Sequence, residues 1–160
     1  MKTRNYCLEC RQPISQGVHE FSQELYGYSL CMKDQYLLGE SGAAAYTIDL
    51  YLALKARKFP VKLDYFDGYK HVDIAVPGKL YIEVSRHDLA ERQIIAGLSG
   101  EGYTLEMKIP TILVSYTMLD KKRSFSHVVN ELSKACRIIL KPDCGFSVAC
   151  APPLTEAQLQ

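Results

Sequence analysis

Apolar and polar residues alternate along two neighbouring segments in the middle of the chain, 71–76 and 80–85. A repeat of two is typical of strands that bury one face, so these segments predict a β-hairpin. With the turn centred on Gly78, the ladder places Asp73 opposite Glu83. Like charges directly opposite each other destabilise a sheet, and this carboxylate pair is therefore a candidate for a function.

One face of the hairpin is expected to be apolar throughout and covered by a helix. Its residues are Val72, Ile74, Val76, Leu80, Ile82 and Val84. A preceding strand at 61–66 and an Asp-Gly turn extend the ladder, which places Lys62 opposite Asp73 and Asp64 opposite His71. The polar face then combines carboxylates with a lysine and a histidine.

Apolar residues three or four positions apart predict helices around these strands. A first helix is expected from 41 to about 58, with a buried stripe formed by Ala45, Ile48, Leu52 and Ala56. The elements expected after the hairpin are a helix at 88–98, strands at 103–108 and 111–116, and a helix at about 126–140 that begins at a serine cap. One face of this last helix is expected to carry Val128, Leu132, Cys136 and Ile139. This order predicts an α/β fold with a mixed sheet, since a meander of three strands is followed by a helical crossover.

The chain divides into three parts on these patterns. Three of the six cysteines lie within the first 31 residues, where no long helical pattern is present. We therefore expect a small module at 1–38, an α/β domain at 41–140 and an irregular tail at 141–160.

The N-terminal cysteines predict a metal site. Cys7 and Cys10 have the spacing of a zinc knuckle, and Cys31 follows about twenty residues later. Thiolates at this spacing suit tetrahedral Zn²⁺. The fourth ligand is either Asp34, where a treble-clef finger carries Cys or His, or His19 in an expected intervening hairpin. The alternative is three free cysteines in a small core.

The carboxylate pair admits two interpretations. In the first, Asp73 and Glu83 hold Mg²⁺ or Mn²⁺ against a phosphodiester. Lys62 or His87 then orients the attacking water or stabilises charge in the transition state. In the second, the face is solvated and its lysine and histidine form ion pairs with the carboxylates. The spacing alone does not choose between them.

Several short segments together resemble a known superfamily. They are Asp73-Ile74-Ala75-Val76-Pro77, Lys79-Leu80-Tyr81-Ile82-Glu83-Val84, His87, Gly102-Tyr103 and Ile109-Pro110, preceded by the finger-like leader Gly27-Tyr28-Ser29-Leu30-Cys31. In an αβββαβ core these segments resemble the restriction-endonuclease-like PD-(D/E)xK superfamily, and more closely its small very-short-patch-repair-like branch. The resemblance implies a Mg²⁺-dependent DNA endonuclease. Its metal ligands would be Asp73 and Glu83, with His87 as a catalytic helper and Lys62 in place of the family's lysine.

The chain also departs from that branch. Ser85 and Arg86 stand before His87 where the branch usually shows Asp-Gly, and no lysine follows Glu83 at the family's position. On the first core helix, Asp49 is the only acidic residue. Two alternatives therefore stay open: a non-catalytic nucleic-acid or protein-binding module on a nuclease-like fold, and a small zinc-stabilised regulator unrelated to nucleases.

Composition and charge limit the expected partners and cellular location of the protein. The formal net charge is +1, so the chain is not the strongly basic type of nucleic-acid binder, although basic clusters at 55–58 and 121–123 can contact phosphate. No apolar run is long enough for a membrane span, and the N-terminus lacks the apolar stretch of a signal peptide. We expect a cytoplasmic protein with reduced cysteines and a nucleic-acid partner, DNA first; the oligomeric state is left open.

Overall fold

A computed structural model describes residues 4–86 and 109–141 of the chain. The expected helix at 88–98, the expected strand at 103–108, His87 and the tail from residue 142 lie outside the described residues.

The N-terminal region contains a short hairpin and two helices: β1 (Asn5–Tyr6), β2 (Pro13–Ile14), α1 (Gln16–Tyr26) and α2 (Met32–Glu40). The sequence did not predict α1, and His19 lies in this helix rather than in a hairpin. Ser15 caps the start of the helix, and Gly27 ends it with a φ of 70°. Its one buried residue is Ser22, whereas the apolar residues Phe21 and Leu25 are exposed, so the buried side of the helix is not the side that apolar spacing marks.

Helix α3 (Ala45–Ala56) is the first helix of the α/β part. Its buried residues lie on several sides: Thr47, Leu50, Tyr51, Leu52, Ala53 and Leu54. The predicted stripe is therefore wrong at its two ends, because Ala45 and Ala56 are exposed. The helix contacts the sheet and the last helix, and it also contacts Glu9 of the N-terminal region, so more than one side is covered.

The sheet consists of β3 (Lys62–Phe66), β4 (His71–Val76), β5 (Leu80–Ser85) and β6 (Thr111–Ser115), in this spatial order. β3, β4 and β5 pair antiparallel, whereas β6 pairs parallel to β5. The predicted α/β fold with a mixed sheet is confirmed at this level.

Two helices follow β6: α4 (Tyr116–Asp120) and α5 (Lys122–Ile139). The last helix begins four residues before the expected Ser126, and no side chain caps its start. Its predicted apolar face is confirmed, since Val128, Leu132 and Cys136 are buried.

The main hydrophobic core is continuous across the expected junction at residues 38–41. It joins α3, α5 and one face of the sheet with three buried residues of the N-terminal region, Cys7, Leu30 and Leu38.

Within residues 4–86 and 109–141, no helix is long and apolar enough to cross a membrane.

Candidate functional site

The β4–β5 hairpin has the predicted register. Val76 pairs with Leu80, and the ladder runs back to Ile74 and Ile82. Gly78 adopts a φ of 70° in the turn, a left-handed conformation that a residue without a Cβ adopts at little cost. Asp73 and Glu83 occupy the next position of the ladder, so the structure brings the two predicted carboxylates together.

The two strands separate at this position. The backbone N–H of Val84 donates to the carboxylate of Asp73 at 2.7 Å, beyond the last paired residues of the ladder. The backbone N–H of Asp73 lies 3.5 Å from Oε2 of Glu83. Each carboxylate therefore contacts the opposite strand, and Asp73 is held by a charge-assisted hydrogen bond.

Lys70 provides the cation of this site. Its Nζ lies 2.6 Å from Oε1 of Glu83 and 6.0 Å from the ring centre of Tyr81. Sequence reasoning missed Lys70 because the expected register aligned a different lysine with the carboxylates. Its place just before β4, three residues from Asp73, was a signal that could have found it.

The predicted role of Lys62 rested on a register that is wrong. Lys62 pairs with Ala75 instead of Asp73, and Phe66 pairs with His71, so the β3 register differs by two residues from the expected one. Among the described residues, the ammonium of Lys62 contacts the ring of Tyr65 at 5.8 Å, and no ion pair joins it to Asp73.

The register error comes from the turn, which uses residues 67–70 where Asp67-Gly68 alone was expected. A separate irregularity lies in β3. Asp64 has a φ of 46°, and the bridge that should join it to Asp73 is missing from the ladder. Leu63 belongs to the main core, whereas Tyr65 packs in a smaller cluster on the other face. Val72 also lies in the smaller cluster, so its expected place on the helix-covered face is wrong. Both strands therefore change faces at the position of the two aspartates.

The Asp64 carboxylate pairs with His71 in spite of the changed register. Oδ1 of Asp64 and Nδ1 of His71 are 2.8 Å apart, and both side chains are largely exposed. This contact confirms that His71 and Asp64 pair on the sheet face, as expected. Its exposure limits its contribution to stability.

The β3–β4 turn is held by Asp67. Its carboxylate accepts the backbone N–H groups of Tyr69 at 2.8 Å and Lys70 at 3.0 Å. The hydrogen bonds from Lys70 and Tyr69 lower the pKa of Asp67. Burial, together with the neighbouring Asp67 carboxylate, raises the pKa of Tyr81 to about 12.

The carboxylate pair supplies two oxygen ligands and a neighbouring ammonium. In the described part of the chain, no third histidine, cysteine or carboxylate groups with Asp73 and Glu83 closely enough to form a three-ligand site. The predicted helper His87 lies outside the described residues.

The N-terminal cysteines form a second candidate site. Ligand atoms of Cys7, Cys10, Cys31 and Asp34 lie within 4.8 Å of one another, close enough to hold a metal ion. Two sulfurs bound to one tetrahedral Zn²⁺ at about 2.3 Å would be separated by about 3.8 Å. The sulfurs of Cys10 and Cys31 are 3.8 Å apart, so the arrangement is compatible with a single structural zinc ion.

Asp34 holds the cluster together through its carboxylate. Oδ2 lies 3.0 Å from the sulfur of Cys7 and 3.1 Å from that of Cys31. Burial and the hydrogen bond to Asp34 raise the pKa of Cys7 to about 12, and the same two causes raise the pKa of Cys31. Burial opposes ionisation of Asp34, but the hydrogen bonds from the thiols outweigh it and lower the pKa of this carboxyl.

The geometry separates the two candidates for the fourth ligand. Nδ1 of His19 lies 2.7 Å from the hydroxyl of Ser29, and His19 is not among the clustered ligands.

The segment between the first two cysteines carries Glu9, which accepts a hydrogen bond from Tyr51 and pairs with Lys55 at 3.2 Å. The cysteine cluster is thereby attached to α3.

Comparisons with protein-family models, curated proteins and solved structures found no match for this chain.

Proposed function

We propose that this protein is a metal-dependent nuclease of the restriction-endonuclease-like type, which hydrolyses phosphodiester bonds in DNA. The observation that carries the proposal is the contact of Asp73 with the Glu83 strand, with the ammonium of Lys70 placed 2.6 Å from Glu83. Two carboxylates and a lysine at the open end of a hairpin are the groups that the sequence resemblance implies, although the lysine comes from an unexpected position.

The donor set fits a hard divalent cation. Carboxylate oxygens are the ligands that Mg²⁺ and Mn²⁺ prefer, usually one or two of them together with water and substrate phosphate. Among the described residues, the hydrogen bond to the Asp73 carboxylate engages Oδ2. In the proposed site, Oδ1 of Asp73 would bind the cation.

Each residue has a distinct part in the proposed reaction. The N–H of Val84 orients the Asp73 carboxylate, and the ion pair with Lys70 orients Glu83. The ammonium of Lys70 lies where it can stabilise negative charge that develops on a phosphate. When bound, the divalent cation supplies a water of lowered pKa and neutralises phosphate charge. Lys70 takes the role that the sequence assigned to Lys62.

We further propose that Cys7, Cys10, Cys31 and Asp34 hold a structural zinc ion. The set supplies three soft sulfurs and one oxygen within 4.8 Å of one another, and the sulfurs of Cys10 and Cys31 have the separation expected at tetrahedral zinc. All four positions are filled by protein, so the site stabilises the N-terminal region and leaves no coordination position for catalysis.

Replacement of Asp73 tests the nuclease proposal. Asp73→Asn keeps an oxygen that can accept the N–H of Val84 but removes the charge that would hold the cation. We expect Mg²⁺- or Mn²⁺-dependent cleavage of plasmid and single-stranded DNA to fall by more than about 100-fold, since even outer partners of metal ligands contribute about 10–100-fold. The matched control is Asp64→Asn, which changes a carboxylate on the adjacent strand and should retain activity.

Equal cleavage by Asp73→Asn and the wild type would contradict the proposal, as would wild-type protein that cleaves no DNA in either metal. Circular dichroism of both variants establishes that they are folded. If Asp64→Asn lost as much activity as Asp73→Asn, the effect would not be specific to the carboxylate pair.

A second candidate is a non-catalytic nucleic-acid or protein-binding module on the same fold. The ion pair between Lys70 and Glu83 favours this binding module, because the pair already neutralises one of the two carboxylates. Calorimetric titration of the zinc-loaded protein with Mn²⁺ separates the two functions. Uptake that disappears in Asp73→Asn favours the nuclease, and DNA binding without Mn²⁺ uptake favours the binding module.

A further inference from the structure

The three cysteines of the N-terminal cluster differ in their access to solvent. Cys7 is buried in the main core, Cys31 is partly exposed and Cys10 is exposed. The reactivity of a cysteine towards an oxidant depends on its thiolate character and on its exposure. A sulfur bound to Zn²⁺ is deprotonated, so in the metal-loaded cluster exposure decides which sulfur reacts first. An oxidant dissolved in water therefore reaches Cys10 first.

Cys31 is the partner with which an oxidised Cys10 can react. The two sulfurs are 3.8 Å apart. The sulfurs of a disulfide are separated by about 2.05 Å, so each would have to move by about 0.9 Å, a distance that side-chain rotation can supply. The sulfur of Cys7 is buried and accepts the backbone N–H of Cys31 at 3.2 Å. The geometry thus favours one pair within the cluster.

The backbone also joins the two segments that carry this pair. The N–H of Leu8 donates to the carbonyl of Ser29 at 2.7 Å, and the N–H of Cys31 donates to the sulfur of Cys7. Both hydrogen bonds connect the β1–β2 turn to the segment before α2. Cys10 and Cys31 are therefore held near each other by contacts that do not involve a metal ion.

Oxidation of this pair would leave an incomplete metal site. Of the four clustered ligands, Cys7 and Asp34 would remain. A structural zinc ion has four ligands, and soft thiolates favour it whereas carboxylates suit harder cations. One sulfur and one carboxylate oxygen are therefore too few to retain the ion.

We propose that Cys10 and Cys31 are a reversible oxidation site, at which hydrogen peroxide forms a disulfide and releases the metal ion of the cluster. The inference concerns the regulation of the proposed zinc site. It rests on that proposal for the release of zinc, but not for the formation of the disulfide.

The chemistry takes place in two steps. The thiolate of Cys10 attacks one peroxide oxygen, which breaks the O–O bond and gives a sulfenic acid and hydroxide. The thiolate of Cys31 then attacks the sulfenic sulfur, which forms the S–S bond and releases a second hydroxide. The two sulfurs lose two electrons, the peroxide gains them, and two protons convert both hydroxides to water. A thiol reductant returns the two electrons, because a disulfide at an exposed cysteine is open to exchange.

Treatment of the zinc-loaded 160-residue chain with hydrogen peroxide tests the inference. Peptide mass spectrometry after alkylation of free thiols identifies the disulfide, and a zinc-sensitive dye measures the released metal. We expect a disulfide between Cys10 and Cys31 and an equal molar amount of free zinc. A thiol reductant followed by Zn²⁺ should restore the starting protein. The double variant Cys144→Ser/Cys150→Ser removes the two cysteines of the tail and should respond as the wild type does.

Cys10→His is the decisive variant, because it replaces the exposed sulfur with another zinc ligand. We expect peroxide to release zinc from it at least about 10-fold more slowly, since the sulfur that remains beside Cys31 is buried. Cys136→Ala is the matched control. Cys136 is a free cysteine of the main core outside the cluster, so this variant should release zinc as the wild type does.

Three results would overturn the inference: cysteines that stay reduced at peroxide concentrations that oxidise free cysteine, a disulfide between other residues, or equally fast zinc release from Cys10→His. A reduced protein without zinc would refute the structural metal site of the proposed function. A disulfide between Cys10 and Cys31 in that protein would leave the oxidation site standing.

Discussion

The charged side chains of the hairpin region are held by neighbouring groups. These groups lie close in the structure but were hard to identify from the sequence. Asp73 is oriented by a backbone N–H of β5, and Glu83 by a lysine from the preceding turn. The carboxylates themselves could be identified from alternation, since the side chains of a strand change faces with every residue. Lys70 lies close to them in the sequence, but its contact with Glu83 depends on how the turn folds.

Asp67 gives a pH-dependent contribution to stability. Hydrogen bonds from the N–H groups of Lys70 and Tyr69 lower its pKa, so the charged form is favoured in the folded state. The stabilisation is present above the ordinary aspartate pKa and is lost as the pH falls through the lowered value of the folded protein. Asp67→Asn keeps a turn-forming side chain without the charge.

We therefore expect the difference in unfolding free energy between wild type and Asp67→Asn to be largest near neutral pH and to shrink on acidification. Urea denaturation of both proteins at several pH values between about 7 and 3 measures it. A difference that stays constant over this range would contradict the assignment.

Among the helices, the pattern of burial decides how well the sequence predicts each one. Helix α5 buries one face, and its apolar residues were identified correctly. Helix α3 is covered on several sides, which dilutes its periodicity, and α1 buries a serine whose hydroxyl donates to the carbonyl of Tyr28 and accepts the N–H of Leu30. A polar contact of this kind leaves no hydrophobic signal.

The buried face of α5 predicts a large effect of one substitution. Leu132 is buried in the main core, and Leu132→Ala should lower the unfolding free energy by about 2–5 kcal/mol, because it removes apolar contacts and leaves a cavity. Ile138→Ala, on the exposed side of the same helix, should change it by less than about 0.5 kcal/mol.

Urea denaturation of the zinc-loaded variants measures both effects. Similar losses in the two variants would show that α5 is not oriented as described.

In the whole molecule, the N-terminal region and the α/β part share one core. Cys7 belongs both to the cysteine cluster and to that core, and Glu9 binds Tyr51 and Lys55 of α3. Loss of a metal ion from the cluster would therefore affect packing well beyond the first 38 residues. The expected division at residues 38–41 describes the order of the elements along the chain, whereas packing crosses it.

We expect removal of zinc from the 160-residue chain to lower the temperature of a single unfolding transition by at least about 10 °C, because binding of a structural zinc contributes directly to folding. Differential scanning calorimetry with and without a chelator measures it. Asp34→Ala should release zinc at a lower chelator concentration, whereas His19→Ala, outside the cluster, should respond as the wild type does.

Two separate transitions, of which only one depends on zinc, would contradict the shared core. The structural metal site would be contradicted if the protein contained no zinc and a chelator had no effect on its unfolding.

The sequence by itself determined the features that depend on local periodicity and spacing. Strands β4 and β5 and their register follow from alternation and a short turn, and the proximity of Asp34 to Cys31 follows from their spacing at the start of one helix. The tertiary structure alone decided the contacts that depend on the length of the β3–β4 turn. The turn uses residues 67–70 and shifts β3 by two positions against β4, so Lys62 lies opposite Ala75 and Lys70, at the end of the turn, contacts Glu83. The length of this turn leaves no mark in hydrophobic patterning, yet it determines which charges meet.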